Sequence, residues 1–310
     1  MLQSDMRVEY VRSGNTLKRK VMTTKKEETI QKILSYCVLI LLAATVIIPF
    51  YILIVSAFKP MGYIGFLENP SPFSGLDFNG FIKAFTGADA TIGENDTPTI
   101  LVGLLNTLII TIPSTLGGLF VSALSAYAFA KTKFRGRNVL FFVMLITTMI
   151  PGIVMMTPLV SIYTTLGLYN TLFPLIVPGM FGTAVCVFFL RQSFMAIPDD
   201  YIDAAKLDGI GHFRIFWKIV VPISLPSLIS QGILGFVAGY NDYLGPLLYL
   251  KGDSEYNITL QIALANFMGK SINSYQTLMA ATVISLIPTV VIFIVCQKFF
   301  VKGITNSGLK

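Results

Sequence analysis

The chain has 310 residues, of which 54% are hydrophobic and only 13% charged, with a formal net charge of +7. Soluble globular domains carry about 25% charged residues, so soluble, disordered, fibrous and disulfide-rich secreted classes are excluded. Crossing a hydrocarbon layer about 30 Å thick takes about 20 helical residues. Several apolar runs reach that length, and an all-α polytopic membrane protein is predicted.

Residues 1–32 are polar and hold eight Lys and Arg, with no clear apolar period. They read as a basic arm, flexible or bound to the membrane surface. Met22 offers an alternative start. Six spans are predicted near Ile33–Phe58, Ile100–Ala130, Asn138–Tyr163, Thr171–Phe194, Ile219–Tyr249 and Gln276–Val301. The first is too long for the apolar core of a signal peptide and reads as a retained span. Between the first two, the 59–99 segment is rich in Pro and Gly and reads as a turn-rich external loop. A short turn near Thr164–Asn170 and the 250–275 segment fall on the same side. The predicted organisation is an arm over 1–32, a six-helix domain over 33–301 with a connector at 195–222, and a tail over 302–310.

Nineteen of the 23 Lys and Arg lie in the arm, the second and fourth connectors and the C-terminal end. The other four are Lys59, Lys83, Lys251 and Lys270. The positive-inside rule then places both termini in the cytoplasm. The same distribution on short connectors argues against a nucleic-acid footprint. Cys37, Cys186 and Cys296 lie in apolar runs and do not read as a disulfide set. Pro49, Pro113, Pro151, Pro174, Pro178, Pro226 and Pro288 fall within the spans. Proline removes a helical hydrogen bond, so an interruption in every span is predicted.

The fourth connector carries the chemistry. Pro198 followed by Asp199 and Asp200 suits a helix start, where acids meet the positive end of the dipole. Ala204, Ala205 and Leu207 continue that helix, and Gly209 and Gly211 end it. An aromatic-rich second helix follows as far as Pro222. The expected product is a cytoplasmic elbow, shaped to lie in a socket of a partner protein.

These residues resemble the signature loop of binding-protein-dependent ABC import permeases. The family pattern is Glu-Ala-Ala, three residues, Gly, nine residues, then Ile-x-Leu-Pro. Here it stands as Asp203-Ala204-Ala205, Gly209 and Ile219-Val220-Val221-Pro222. Asp203 replaces Glu and Val221 replaces Leu, with the spacing kept. Ala123–Ala130 followed by Phe134-Arg135-Gly136, Tyr240–Tyr243, and Phe300–Thr305 resemble the six-span subunit of maltose-transporter-type carbohydrate permeases.

The resemblance implies the ABC type I importer permease fold in a bacterial cell membrane. It implies a heterodimer with a second permease, two ATPase subunits and an extracellular solute-binding protein. ATP and magnesium would sit on the ATPase, with no cofactor in this chain. Asp203, Ala204, Ala205, Lys206, Leu207, Gly209 and Pro222 would couple to the ATPase, and the tail from Lys302 to Lys310 would reach between the ATPases. A carbohydrate would cross by alternating access. The 250–275 segment matches in position a loop that enters the binding protein.

Asp242 is the only acid at apparent membrane depth, flanked by Tyr240, Asn241 and Tyr243. Buried charge in a membrane is costly and usually functional. It lines the solute pathway, or it serves a structural contact or an outer-interface position near Gly245-Pro246. Asn106 in the second span is the other polar candidate, with a structural role favoured. Gly235 and Gly239 form a small-xxx-small pair, read as packing within the chain. His212, the only histidine, lacks a second ligand for a metal site and reads as a surface or interface residue. Trp217 reads as an interfacial anchor. A self-sufficient secondary transporter is the alternative function, which an inverted repeat or paired intramembrane charges would mark. Neither is seen. A membrane-embedded enzyme would need a cluster that Asp242 alone does not supply.

Overall fold

The computed structural model describes residues 8–13, 16–21, 25–60, 75–86, 99–251, 257–268 and 275–307. Met22, most of the 61–98 connector, Lys270 and Lys310 lie outside the described residues. The chain divides into two units, Met1–Val55 and Ser56–Lys310.

The first unit holds a hairpin within the stretch read as a basic arm. Strands β1 (Val8–Ser13) and β2 (Thr16–Val21) pair antiparallel, with Val8 opposite Val21 and Ser13 opposite Thr16. Alternating Val, Tyr, Leu and Thr favour the pleated chain here, a period-2 signal that the basic residues mask. Helix α1 (Lys25–Ala57) starts eight residues before the predicted span. Its start draws on Lys, Glu and Gln, which are good helix formers although not apolar. Ile33, Leu34, Ile40 and Leu41 are exposed, as expected for side chains facing lipid.

The second unit is built on α3 (Thr99–Lys131). Before it, Phe58 packs against Phe78, which leads into α2 (Asn79–Thr86), and against Phe81 within that helix. After it come α4 (Arg137–Thr147) and α5 (Gly152–Thr165), bent by 88° where Pro151 caps the second helix. Next are α6 (Phe173–Met180) and α7 (Ala184–Met195), which together make a span of 23 residues. The elbow helices follow: α8 (Asp199–Leu207), α9 (His212–Ile215), a π segment at Phe216–Val220 and α10 (Val221–Ile223). The stretch His212–Ile223 is bent by 82° from α11 (Leu225–Tyr240). The chain ends with α12 (Leu244–Tyr249), α13 (Leu260–Met268) and α14 (Tyr275–Ser307).

Among the described residues, four helices are long and apolar enough to cross a membrane, and up to six spans result if each bent pair counts as one. The prediction of a break in every span needs correction. Pro49, Pro113 and Pro288 sit inside the unbroken helices α1, α3 and α14. Hydroxyls fold back on the backbone near two of them: Ser114 Oγ donates to the Ile110 carbonyl and Ser285 Oγ to the Thr282 carbonyl. Such bonds let a membrane helix absorb a proline. Among the described spans, the two large bends fall where non-helical residues intervene, at 148–151 and at Ser224.

The 59–99 and 250–275 segments are likewise not loops throughout. α2 lies in the first, and α13 in the second is buried, with Leu260, Ala263 and Phe267 at 0 to 1% exposure. These side chains join Ile100, Phe236, Tyr240, Ala281 and Ile284 in one apolar core. The described part of the 250–275 segment is therefore a packed element of the second unit. Nine residues make too short an apolar run to register as a span, so sequence reading assigned them to a loop.

A second core gathers Ala123, Ala126 and Tyr127 of α3, Val187, Leu190 and Phe194 of α7, and Ile202, Ala205, Ile215, Phe216 and Val220 of the elbow. Leu190→Ala, which empties a fully buried position in that core, is expected to cost about 2–5 kcal/mol. Thermal unfolding in detergent should show this loss, while Phe189→Ala, at a 53% exposed site on the same helix, should shift the midpoint far less.

Candidate functional site: a pinned elbow

Helix α8 starts as the sequence predicts, with Pro198 extended at its cap and Asp199 and Asp200 in the first turn. Its end is a Schellman closure. The Gly209 N–H reaches the Lys206 carbonyl and the Ile210 N–H reaches the Ala205 carbonyl, both at 3.0 Å. Gly209 supplies the left-handed residue this closure needs, at φ 76°. A Cβ there would meet no atom within 4 Å, so the demand for glycine is conformational and not steric. Gly211 differs from expectation. It is extended (φ −72°) and caps α9, with its carbonyl accepting from the Arg214 and Ile215 amides.

Pro222 also differs from the expected terminus, because it lies inside α10 and the break comes two residues later at Ser224. Upstream of it the Val221 amide reaches back five residues to the Phe216 carbonyl. That wider register marks a π segment, a device common at functional bends. Trp217 stacks near Phe120, with ring centres 6.1 Å apart, and meets Phe213 and Phe216 edge-on.

The elbow has two faces. Ile202 and Ala205 point into the core, at 2% and 5% exposure, and Ile210 packs beside them. Asp203, Ala204 and Lys206 are exposed, and Leu207 is 90% exposed. Asp203 accepts from Lys206 at 2.9 Å in an exposed pair of one helical turn. Pairs of this kind contribute little to stability, so Asp203 stays open to another partner.

The inner face is tied to the end of α3. Lys131, with its side chain 4% exposed, donates from Nζ to the Ile197 carbonyl at 2.6 Å and to Asp199 Oδ1 at 2.5 Å. One turn earlier, the Tyr127 hydroxyl and His212 Nδ1 share a hydrogen bond at 2.9 Å. Arg191 of α7 donates to the Phe129 carbonyl and lies 4.3 Å over the Phe141 ring.

Four of the five polar pathway candidates make hydrogen bonds within the chain. Asn106 donates to the Ile258 carbonyl at 2.9 Å, pinning α3 to the entrance of α13. Tyr240 is 1% exposed and donates to the Ser285 carbonyl at 2.8 Å. Asn241 donates to Val237 at the end of α11. Asp242 accepts the Gly245 amide at 3.1 Å and so caps the approach to α12, beside Pro246. These bonds serve the structure, and Asn241, Asp242 and Tyr243 are the exposed members of the group. Of the two terminal lysines, Lys302 lies on α14, whose helix runs through to Ser307.

Two features escaped sequence reading. A cavity of about 60 Å³ beside Asp242 is lined by Thr107, Thr111, Ser114 and Thr259. The Thr111 and Thr259 hydroxyls are buried without a partner among the described residues. A groove of about 440 Å³ lies between α3, α6, α7 and α11, with Ser114, Ser122, Thr183 and Gln231 among its lining residues. Both need side chains from helices far apart in sequence. Gly239 packs against α3, a Cβ there falling 3.2 Å from Thr111 Cγ2, as the in-chain reading of the small-residue pair expected.

Residues 118–306 match the family described as binding-protein-dependent transport system inner membrane component. The chain is 34% identical over 218 residues to the sn-glycerol-3-phosphate transport system permease protein UgpE of Yersinia pestis bv. Antiqua (strain Antiqua), covering 70% of this chain and 77% of that protein. It is 36% identical over 192 residues to the arabinooligosaccharides transport system permease protein AraQ of Halalkalibacterium halodurans, covering 62% and 68% of the two chains. A crystal structure of a bacterial ABC transporter involved in the import of the acidic polysaccharide alginate contains a chain of the same fold. Its TM-score is 0.73 at 21% identity, over 90% of this chain and 99% of that one. A second, of the alginate transporter in complex with alginate pentasaccharide-bound periplasmic protein, gives 0.55 at 16% identity, over 86% and 94%. The fold and the elbow thus define a multi-pass membrane permease. The chain belongs to the binding-protein-dependent transport system inner membrane component family, whose members here are transport permeases and not enzymes.

The hydrogen bond from Lys131, and then its charge, hold the Asp199 carboxyl below its ordinary value of 3.8. A depressed carboxyl keeps its stabilising contact above its unfolded pKa and loses it only as pH falls through the lower folded value. A ¹³C titration of the Asp199 carboxyl is therefore expected to have its midpoint below 3.8 and to move up on Lys131→Met. An unmoved midpoint would show that Lys131 is not its partner in solution.

Proposed function

We propose that this chain is one permease subunit of an ATP-driven importer for a carbohydrate. It works as a heterodimer with a second permease, above two ATPase subunits, and receives solute from an extracellular binding protein. Both termini lie in the cytoplasm, in keeping with the distribution of Lys and Arg, and the membrane is a bacterial cell membrane. ATP and magnesium bind on the ATPase, and this chain carries no cofactor of its own. Asp203, Ala204, Lys206 and Leu207 form the outer contact surface, while Ala205, Gly209 and Pro222 give the elbow its shape. The tail from Lys302 to Lys310 extends toward the ATPases. ATPase closure pushes the elbow, and the permeases switch between inward-facing and outward-facing states, a bistable element biased by a ligand.

The observation that carries this reading is Leu207, 90% exposed on a helix whose other face is fully packed. An apolar side chain held out on a braced elbow suits insertion into a groove of another protein. Among the named relatives, one transports arabinooligosaccharides and another sn-glycerol-3-phosphate. A neutral polyol fits this chain better than a phosphate, because the polar side chains around Asp242 are Asn, Tyr and Thr. Of the pathway candidates, the exposed Asn241, Asp242 and Tyr243 are those left nearest to a passing solute, while Asn106 and Tyr240 hold the pathway wall.

Gly209→Val tests the elbow. Left-handed backbone costs a side-chain-bearing residue about 1–2 kcal/mol, roughly 5- to 30-fold in the population of the native bend. The expected outcome is solute uptake reduced by that order with ATPase subunits still co-purifying and hydrolysing ATP. Uptake at the wild-type rate would contradict the role given to the bend. Asp203→Lys should lower the yield of co-purified ATPase, and an unchanged yield would remove Asp203 from the contact.

A further inference from the structure

We propose that Tyr127 and Lys131 are positioning residues that make the elbow and the cytoplasmic end of α3 a single rigid piece. The inference rests on the coupling role just proposed for the elbow, but concerns where its motion goes. The two residues are four apart on α3, and residues at that spacing share one helix face. Each holds the start of one elbow helix. Lys131 binds the Ile197 carbonyl and Asp199 at the start of α8, and Tyr127 binds His212 at the start of α9. The elbow is thus gripped on both sides of its Gly209 bend by one turn of one helix.

The grip is built for stiffness. On α3 the pins are buried, the Lys131 side chain and Tyr127 being 4% and 5% exposed, while their partners Asp199 and His212 face solvent; the bond from Lys131 to the Ile197 carbonyl is the part-buried, charge-assisted one. Between the two pins, Ile202, Ala205 and Ile215 fill the core shared with Ala123, Ala126 and Phe194. The link between the elbow and α11 is different in kind. It passes through a π segment and an 82° bend at Ser224, just ahead of Pro226, which has no amide to donate. A push on Leu207 therefore moves α3 directly, while along the chain the link from elbow to α11 passes through that bend. α3 carries Thr107, Thr111, Ser114 and Ser122, which line the groove and the cavity described above. The stroke of the partner thereby reaches the polar wall of the permease through α3.

The assembled importer, in lipid nanodiscs, tests this with spin labels at Lys133, just past α3, and Asp208 on the elbow. The expected distance distribution is narrow and the same in nucleotide-free and vanadate-trapped complexes. Lys131→Met should broaden it, and the doubly altered Tyr127→Phe, Lys131→Met chain should broaden it further, with ATPase still bound. Lys131→Arg, which keeps the charge and the donors, should restore the narrow form. A distance that changes on trapping in the otherwise native chain, or a Lys131→Met distribution identical to native, would overturn the proposal. In the same complexes a Leu207→Cys cross-link to the ATPase reports on docking. Its absence with an unchanged label distance would sink the coupling role and leave the rigid piece standing. A cross-link with a labile distance would do the reverse.

Discussion

The structure depends on the buried attachment of one elbow to the end of one membrane helix. An exposed short helix of nine residues is not stable alone, since helix nucleation is costly and isolated helices of that length are marginal. α8 exists because Ile202 and Ala205 are driven into the core against α3 and α7, and because the Gly209 closure and Asp199 satisfy its ends. With that face buried, the opposite one is presented in a fixed direction. The exposure of Leu207 follows from the packing of its neighbours.

The membrane imposes a matching constraint on the rest of the chain. Backbone polar groups within hydrocarbon need internal partners, so a break in a span is tolerated only where protein or a wet cavity answers it. The break after α11 shows how this is done. Asn241 returns a hydrogen bond to α11, Asp242 caps the turn into α12, and Gln261 reaches the Tyr240 carbonyl from α13. Residues that looked like pathway chemistry thus first answer a structural need. The cavity beside them, with two unpartnered threonine hydroxyls, marks where polar groups remain available.

Much of this was legible in the sequence for physical reasons. The elbow was readable because its determinants are local: Pro198 and two acids at a helix start, and Gly209 at a left-handed end. The long spans were readable from length and apolarity. The unbroken passage through Pro49, Pro113 and Pro288 was not, because it depends on how neighbouring groups answer the lost hydrogen bond. Helix α13 was hidden by its brevity, and the hairpin by its basic residues. The pins of Lys131 and Tyr127 were invisible, since they join residues 66 to 85 positions apart. Lys131 counted in the sequence only as one more cytoplasmic charge, and its burial changes its meaning.

The central claim is that the outer face of the elbow is the surface gripped by a separate ATPase. It is tested most directly by a membrane-impermeant thiol reagent applied to a Leu207→Cys chain whose Cys37, Cys186 and Cys296 are replaced by Ser. The account predicts labelling only from the cytoplasmic side of vesicles, and protection once ATPase subunits are bound. Labelling from the external side, or equal labelling with and without the ATPase, would contradict it.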